Sequence, residues 1–297
     1  MPITDAALPP SMQPQRLSCL GPHGFHRIAY SYWPGPSEAN PAAGVGRPTL
    51  CVHGLTRNGR DFDALGERLS RRGPVAAPDM PGRGRSAWLA DAADYSYPVY
   101  LGTVASLIAR LGAEEIDYVG TSMGGIIGMM LACQPGSPIR RLVLNDVGPF
   151  IPVAALERIA GYVGLDPEFA DLDQLERHLR AVHSAFGPLS NAEWRHMAET
   201  SHRVRADGSL GLGYDPAIAQ AFTAAPLTDV DLWPFYDRIQ CPTLVIRGAQ
   251  SDLLTAETAE EMTRRGPKAE LYEVADAGHA PALMDEAQIA RIESFFT

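Results

Sequence analysis

Short apolar runs alternate with amphipathic stretches along most of this chain. Thr49-Leu50-Cys51-Val52, Val75-Ala76-Ala77, Ile116-Asp117-Tyr118-Val119, Leu142-Val143-Leu144 and Thr243-Leu244-Val245-Ile246 have the length and composition of buried strands. Between them the period changes. Phe62, Leu65 and Leu69 share one face of a helix that should start near Asp61, and residues 99–111 and 256–264 carry apolar positions at helical spacing. A further strand is predicted over 269–274 and a closing helix over 281–296. Near the start, extended segments at 15–20 and 25–32 flank Gly21-Pro22-His23-Gly24, which reads as a hairpin turn. Strands that alternate with helices predict an α/β fold with a doubly wound, mostly parallel sheet.

The alternation stops between Phe150 and Asp237. Helical stretches at 153–163, 172–186, 191–201 and 216–224 follow one another there, separated by turn signals such as Gly187-Pro188 and Asp207-Gly208, with no convincing strand among them. The expected organisation is therefore a core formed by residues 15–149 and 238–297, with a helical cap inserted at 150–237. Residues 1–14, rich in Pro and Ala and without periodicity, are expected to be a mobile leader.

Composition narrows the function classes. The 297 residues carry a net charge of −10 and no long basic run, which argues against nucleic acid as a partner. The N-terminus has neither a basic nor an apolar signal region, and no stretch of 18 apolar residues occurs, so a cytoplasmic protein without membrane contact is expected. Cys19, Cys51, Cys133 and Cys241 lie far apart and form no C-x-x-C pair, as reduced packing residues would. Neither a metal nor a nucleotide cofactor is expected. The histidines at 178, 183, 196 and 202 lack the spacing of a zinc site and read as solvated cap residues, and Gly82-x-Gly84 lacks the third glycine of a dinucleotide loop.

Chemistry enters at Gly120-Thr121-Ser122-Met123-Gly124, set between a strand and a helix. Glycines on either side permit a turn too tight for a Cβ, and the serine is lifted to the start of the helix, where unpaired amides favour an oxyanion. A serine hydroxyl needs a base and an acid that orients the base. His279, in Ala277-Gly278-His279, and Asp252, in Gly248-Ala249-Gln250-Ser251-Asp252, each follow a strand and occur in the order Ser, Asp, His. Asp146, after the strand that follows the serine helix, is expected to order the entrance to the cap.

These motifs, with His53-Gly54 and Asp79-Met80-Pro81-Gly82-Arg83-Gly84-Arg85-Ser86, resemble the α/β-hydrolase family over nearly the whole chain. The resemblance implies an eight-stranded sheet with a cap and an oxyanion hole made by the backbone amides of Leu55 and Met123. His53 would fix the oxyanion loop, and Asp146 is the alternative acid, since some members of the family place the acid after the strand that follows the serine helix. Arg57 and Asn58 stand as candidates to bind a substrate carboxylate or carbonyl, with a loop-stabilising pair as the alternative. Arg83 and Arg85 are expected to form structural ion pairs.

The expected activity is hydrolysis of small carboxylic esters or lactones through an acyl-enzyme on Ser122, acting on a small-molecule substrate as a monomer or homodimer. Alternatives on the same residues are cleavage of carbon–carbon bonds in 1,3-dicarbonyl or ring-cleavage products, and acyl transfer to an alcohol or thiol. A ligand-binding receptor with a silent site is a third class.

Overall fold

The structure, a computed structural model, describes residues 8–36 and 46–297. The first seven residues of the expected leader lie outside the described residues, as do residues 37–45. The rest of that leader is partly ordered into the fold: Met12 is buried against the core, and the first strand already begins at Gln13.

The strands in chain order are β1 (Gln13–Gly21), β2 (Gly24–Trp33), β3 (Thr49–Val52), β4 (Val75–Pro78), β5 (Ile116–Thr121), β6 (Ile139–Asn145), β7 (Phe150–Ile151), β8 (His202–Val204), β9 (Leu210–Leu212), β10 (Val230–Asp231), β11 (Thr243–Gly248) and β12 (Glu270–Val274). The helices are α1 (Asp63–Leu69), α2 (Tyr97–Leu111), α3 (Met123–Ala132), α4 (Val153–Ala160), α5 (Leu172–Val182), α6 (Asn191–Thr200), α7 (Gln220–Thr223), α8 (Trp233–Tyr236), α9 (Ala256–Met262) and α10 (Glu286–Phe295). Eight strands form one sheet in the order β1-β2-β4-β3-β5-β6-β11-β12. The β1–β2 hairpin is antiparallel, β2 joins β4 antiparallel, and every other neighbour is parallel.

Side-chain alternation along the central strands builds the two faces of the core. Tyr118, Leu142, Leu144 and Val245 pack on the face covered by α2, α3 and much of the segment between β6 and β11. Val119, Val143, Leu244 and Ile246 point the other way, onto Leu65 and Leu69 of α1 and Ile289, Ile292 and Phe295 of α10. Full burial of each such side chain is worth roughly 1.5–3 kcal/mol against exposure, so a one-residue slip of any strand would be heavily penalised. Helix ends follow local chemistry: Asp285 caps α10, Ser190 and Glu193 form a capping box on α6, and Gly112 ends α2 at φ 64°.

The segment from 150 to 237 departs from the helical expectation. Besides α4 to α8 it contains two antiparallel ribbons, β7 with β10 and β8 with β9. Each is only two or three residues per strand, too short for an alternating pattern to be seen in sequence. The helices predicted over 172–186 and 216–224 each break into an α-helix and a 3₁₀ turn, at Ser184–Phe186 and Pro216–Ala219. Among the described residues, no helix is long and apolar enough to cross a membrane.

Candidate functional site

Parallel strands deliver their carboxyl ends to one edge of the sheet, and the candidate residues follow those ends directly. Ser122 leaves β5 at φ 50° and begins α3. That backbone angle is rare for a residue with a Cβ and makes Ser122 a strained position. Its glycine neighbours have to be glycines. A Cβ on Gly124 would lie 2.0 Å from the Val52 carbonyl oxygen, and one on Gly120 would lie 2.4 Å from the Gly124 oxygen.

Oγ of Ser122 lies 2.9 Å from Nε2 of His279. His279 sits on the loop after β12, held by Gly278 N–H donating to the Ala185 carbonyl (2.7 Å) and Gln250 N–H donating to the Ala277 carbonyl (2.9 Å). The loop comes so close to β11 that a Cβ on Gly248 would meet the Gly278 oxygen at 2.2 Å. The other imidazole nitrogen, Nδ1, is 2.7 Å from Oδ2 of Asp146.

Asp146, not Asp252, therefore occupies the place expected of the acid. It follows β6, between the strands that lead to Ser122 and Gly248, and turns its backbone to φ 53°. A short polar side chain such as aspartate tolerates that conformation better than most. Its fully buried carboxylate also accepts from Gly248 N–H (2.7 Å) and from Ser251 Oγ (2.6 Å). Asp252 instead faces outward and forms a two-pronged ion pair with Arg158 of α4, one prong spanning 2.9 Å from Nη2 to Oδ1. Both aspartates lie beyond the carboxyl end of a strand and before His279, so their order in sequence could not separate them. The turn at Gly248-Ala249-Gln250-Ser251 spends Ser251 on Asp146 and swings Asp252 toward the inserted segment.

The loop after β3 runs beside the serine. Gly54 lies close enough that a Cβ there would be 3.7 Å from Cβ of Ser122. His53 is wholly buried, donates from Nδ1 to the Gly54 carbonyl (2.7 Å) and accepts at Nε2 from the Met80 amide (2.9 Å). Burial pulls its pKa down to about 4, against partial support from the Gly54 carbonyl, so it is neutral near pH 7. The Gly54 carbonyl also accepts from Arg57 N–H (3.2 Å). In a trans peptide the carbonyl and the following N–H point in opposite directions, so these bonds also set the Leu55 amide. Among the described residues, neither the Leu55 amide nor the Met123 amide donates to a protein acceptor.

Arg57 and Asn58 part company. Arg57 lines two clefts, one with Thr56, Tyr162, His178, His183 and Tyr214, the other with Thr121 and Ala280, the chain neighbours of Ser122 and His279. Its Nε and Nη2 are held by Asp61 at 2.9 and 2.6 Å. Asn58 is committed elsewhere: its Oδ1 accepts from Arg60 N–H at the start of a 3₁₀ turn, and its Nδ2 donates to the Thr200 carbonyl at the end of α6. It is a loop-stabilising residue that ties the β3 loop to the inserted segment.

Two further expectations change. Arg85 does pair with Asp79, but among the described residues Arg83 has no carboxylate partner. The cap histidines are not all solvated: His202 is buried and donates from Nδ1 to the Ala198 carbonyl (3.1 Å), and half-buried His183 stacks on Phe186 at 4.5 Å, where burial, with Arg57 and His178 adding, pushes its pKa well below the ordinary value. Ser251 and the Gly248 amide were missed because a serine next to an aspartate carries no signal until its partner is known. Among the described residues no group of three or more His, Cys, Asp or Glu side chains is placed to hold a metal ion.

A strained serine at the switch from strand to helix, backed by a histidine and a carboxylate from neighbouring strand ends, is an arrangement of α/β hydrolases. The alpha/beta hydrolase family model matches residues 49–292, and the chain belongs to that family of enzymes. It is 45% identical over 289 residues to the 3-hydroxybutyrate-oligomer hydrolase of Cupriavidus necator, covering 95% of this chain and 96% of that protein. With the 2-(acetamidomethylene)succinate hydrolase of Mesorhizobium japonicum it shares 29% identity over 239 residues, 80% of this chain and 82% of that one. The crystal structure of an alpha/beta hydrolase from Novosphingobium aromaticivorans superposes with a TM-score of 0.83 at 34% identity, covering 95% and 98% of the two chains.

Proposed function

We propose that the protein hydrolyses small carboxylic esters, with short oligoesters of a hydroxy acid as the natural class, through an acyl-enzyme on Ser122. The observation that carries this reading is the unbroken chain from Ser122 Oγ through His279 to the buried carboxylate of Asp146. Identity of 45% along nearly the full length of a 3-hydroxybutyrate-oligomer hydrolase supports the substrate class.

In this mechanism His279 Nε2 removes the Ser122 proton as Oγ attacks the ester carbonyl, and Asp146 stabilises the imidazolium through Nδ1–H. The Leu55 and Met123 amides receive the tetrahedral oxyanion. His279 then protonates the departing alcohol, takes a proton from water, and the acyl-enzyme is released as the acid. The segment 150–237 acts as a cap over this edge: Ala185 and Phe186 carbonyls accept from Gly278 and Ala282 amides of the histidine loop, and Thr200 receives Asn58. Arg57, with Nη1 left over from its pair with Asp61, is placed to meet the terminal carboxylate of an oligoester.

The test is product analysis on 3-hydroxybutyrate dimer and trimer, beside aryl esters, lactones and a vinylogous 1,3-diketone, with wild type and Ser122→Ala. Monomer release by the wild type alone, and covalent labelling by a fluorophosphonate only where Ser122 is present, is the expected result. Turnover of the diketone but not the esters would replace ester cleavage by carbon–carbon cleavage. Unchanged labelling of Ser122→Ala would remove the serine mechanism altogether.

A further inference from the structure

Arg83 is a fully buried guanidinium that the reaction scheme above does not use. Its surroundings are unusual for a cation, since a buried charge is normally paired. Among the described residues no carboxylate pairs with it. Nε donates to the Leu55 carbonyl (2.9 Å), Nη1 donates to the Pro81 carbonyl (2.6 Å) and to Tyr100 Oη (2.9 Å), and Nη2 lies 3.8 Å from Sδ of Met123. The rings of Tyr100 and Tyr95 stand 5.2 and 5.6 Å from Cζ, so two aromatic faces help to solvate the charge.

The two residues touched by one guanidinium, Leu55 and Met123, follow different strands, β3 and β5, and their amides are the pair proposed to hold the oxyanion. A planar fork with five donors can bind both neighbours at once, which a lysine ammonium on a flexible stem cannot reproduce. Gly54 fixes one side of the Leu55 backbone through His53, and Arg83 fixes the other through the Leu55 carbonyl. The backbone around residue 83 is pinned as well: Gly84 N–H donates to the Gly213 carbonyl (2.8 Å) and Asp215 N–H to the Gly82 carbonyl (2.8 Å). The guanidinium is thus held on a rigid frame between the sheet edge and the inserted segment.

We propose that Arg83 is a positioning residue for the oxyanion site: it holds the Leu55 backbone by its carbonyl, packs on the Met123 side chain, and sets a positive charge with no carboxylate partner among the described residues beside the two residues whose amides face the oxyanion. A preorganised charge in a dry site acts on the oxyanion more strongly than on the neutral ester, so its effect falls on the chemical step and little on substrate binding. This proposal rests on the serine-hydrolase reading.

The test compares wild type, Arg83→Lys and Arg83→Met for the second-order rate of fluorophosphonate labelling of Ser122, with kcat and KM on an aryl ester. Rates are expressed per labelled site, so that misfolded protein does not count. The expected result is a fall of about 10²-fold or more in labelling rate and kcat for Arg83→Met, with KM within about threefold, and partial recovery in Arg83→Lys because charge returns without the fork. A merely structural arginine would lower the labelled fraction or the melting temperature and leave the rate per site unchanged. That outcome overturns the proposal. If Arg83→Met does not fold, Arg83→Lys alone decides, since an unchanged rate per site has the same consequence. Absence of labelling in the wild type overturns the serine-hydrolase reading and takes this proposal with it.

Discussion

Nδ1 of His279 stands 2.7 Å from a carboxylate oxygen of Asp146, and that same oxygen accepts the hydroxyl of Ser251. With Gly248 N–H on the other oxygen, the carboxylate is held by three donors from two later strand ends. It can turn neither away from the imidazole nor toward solvent.

The first prediction separates the two aspartates. Asp146→Asn keeps size and most hydrogen bonds but cannot hold His279 in the same tautomer, so kcat on an ester should fall by about 10⁴-fold. Asp252→Asn should stay within about threefold. Steady-state kinetics on the two variants checks this, and a large loss for Asp252→Asn alone would reverse the assignment.

The Arg158–Asp252 pair is a stability question of small size. Its side chains are 43% and 50% exposed, so water and salt screen the pair. Arg158→Gln should cost no more than about 1 kcal/mol in urea unfolding, less at high salt.

At the serine turn the expected cost is much larger. The Cβ of Gly124→Ala would have to displace backbone, not a flexible side chain, since its nearest atom is the Val52 carbonyl oxygen at 2.0 Å. A loss of about 3 kcal/mol or more in urea unfolding is expected, with loss of Ser122 labelling. Wild-type labelling in this variant would show that the turn can open to admit a Cβ.

Acid sensitivity follows from His53. Its pKa is about 4 in the folded chain and about 6.5 when unfolded, so the unfolded chain binds the extra proton between those values. The associated stability is present above pH 6.5 and is lost as pH falls toward 4, amounting to about 3 kcal/mol. His183, also depressed by burial, acts in the same direction. Chemical denaturation from pH 8 to pH 4.5 should show the decline. His53→Gln should be less stable at pH 7.5 yet have a flatter pH dependence, and an unchanged slope would exclude His53 as a source.

Arg57 is expected to act on binding. Arg57→Lys should raise KM about tenfold for a 3-hydroxybutyrate oligomer that ends in a carboxylate, and leave KM for a neutral aryl ester nearly unchanged. Equal effects on both substrates would mean that Arg57 only supports the loop with Asp61.

The alternation of short apolar runs with helical spacing was enough to read the sheet and its flanking helices, because each central strand and its covering helix are buried by local pattern. Gly120-Thr121-Ser122-Met123-Gly124 was legible for the same reason: only glycine fits where a Cβ would strike backbone. Contacts between distant strand ends leave no such mark in the chain. Asp146 and Asp252 both follow strands and both precede His279. Which one meets the imidazole depends on the positive φ at residue 146 and on a turn that gives Ser251 to one aspartate and Arg158 to the other. Asn58 was likewise a ligand candidate until α6 brought the Thr200 carbonyl to it, and Arg83 an ion-pair candidate until two strand ends and two tyrosines enclosed it. The sequence by itself determined the strands and helices of the core and the place of the serine, since those depend on near neighbours; tertiary structure decided the short ribbons of the inserted segment and the partners, since a hydrogen bond depends on a few tenths of an ångström between residues a hundred positions apart.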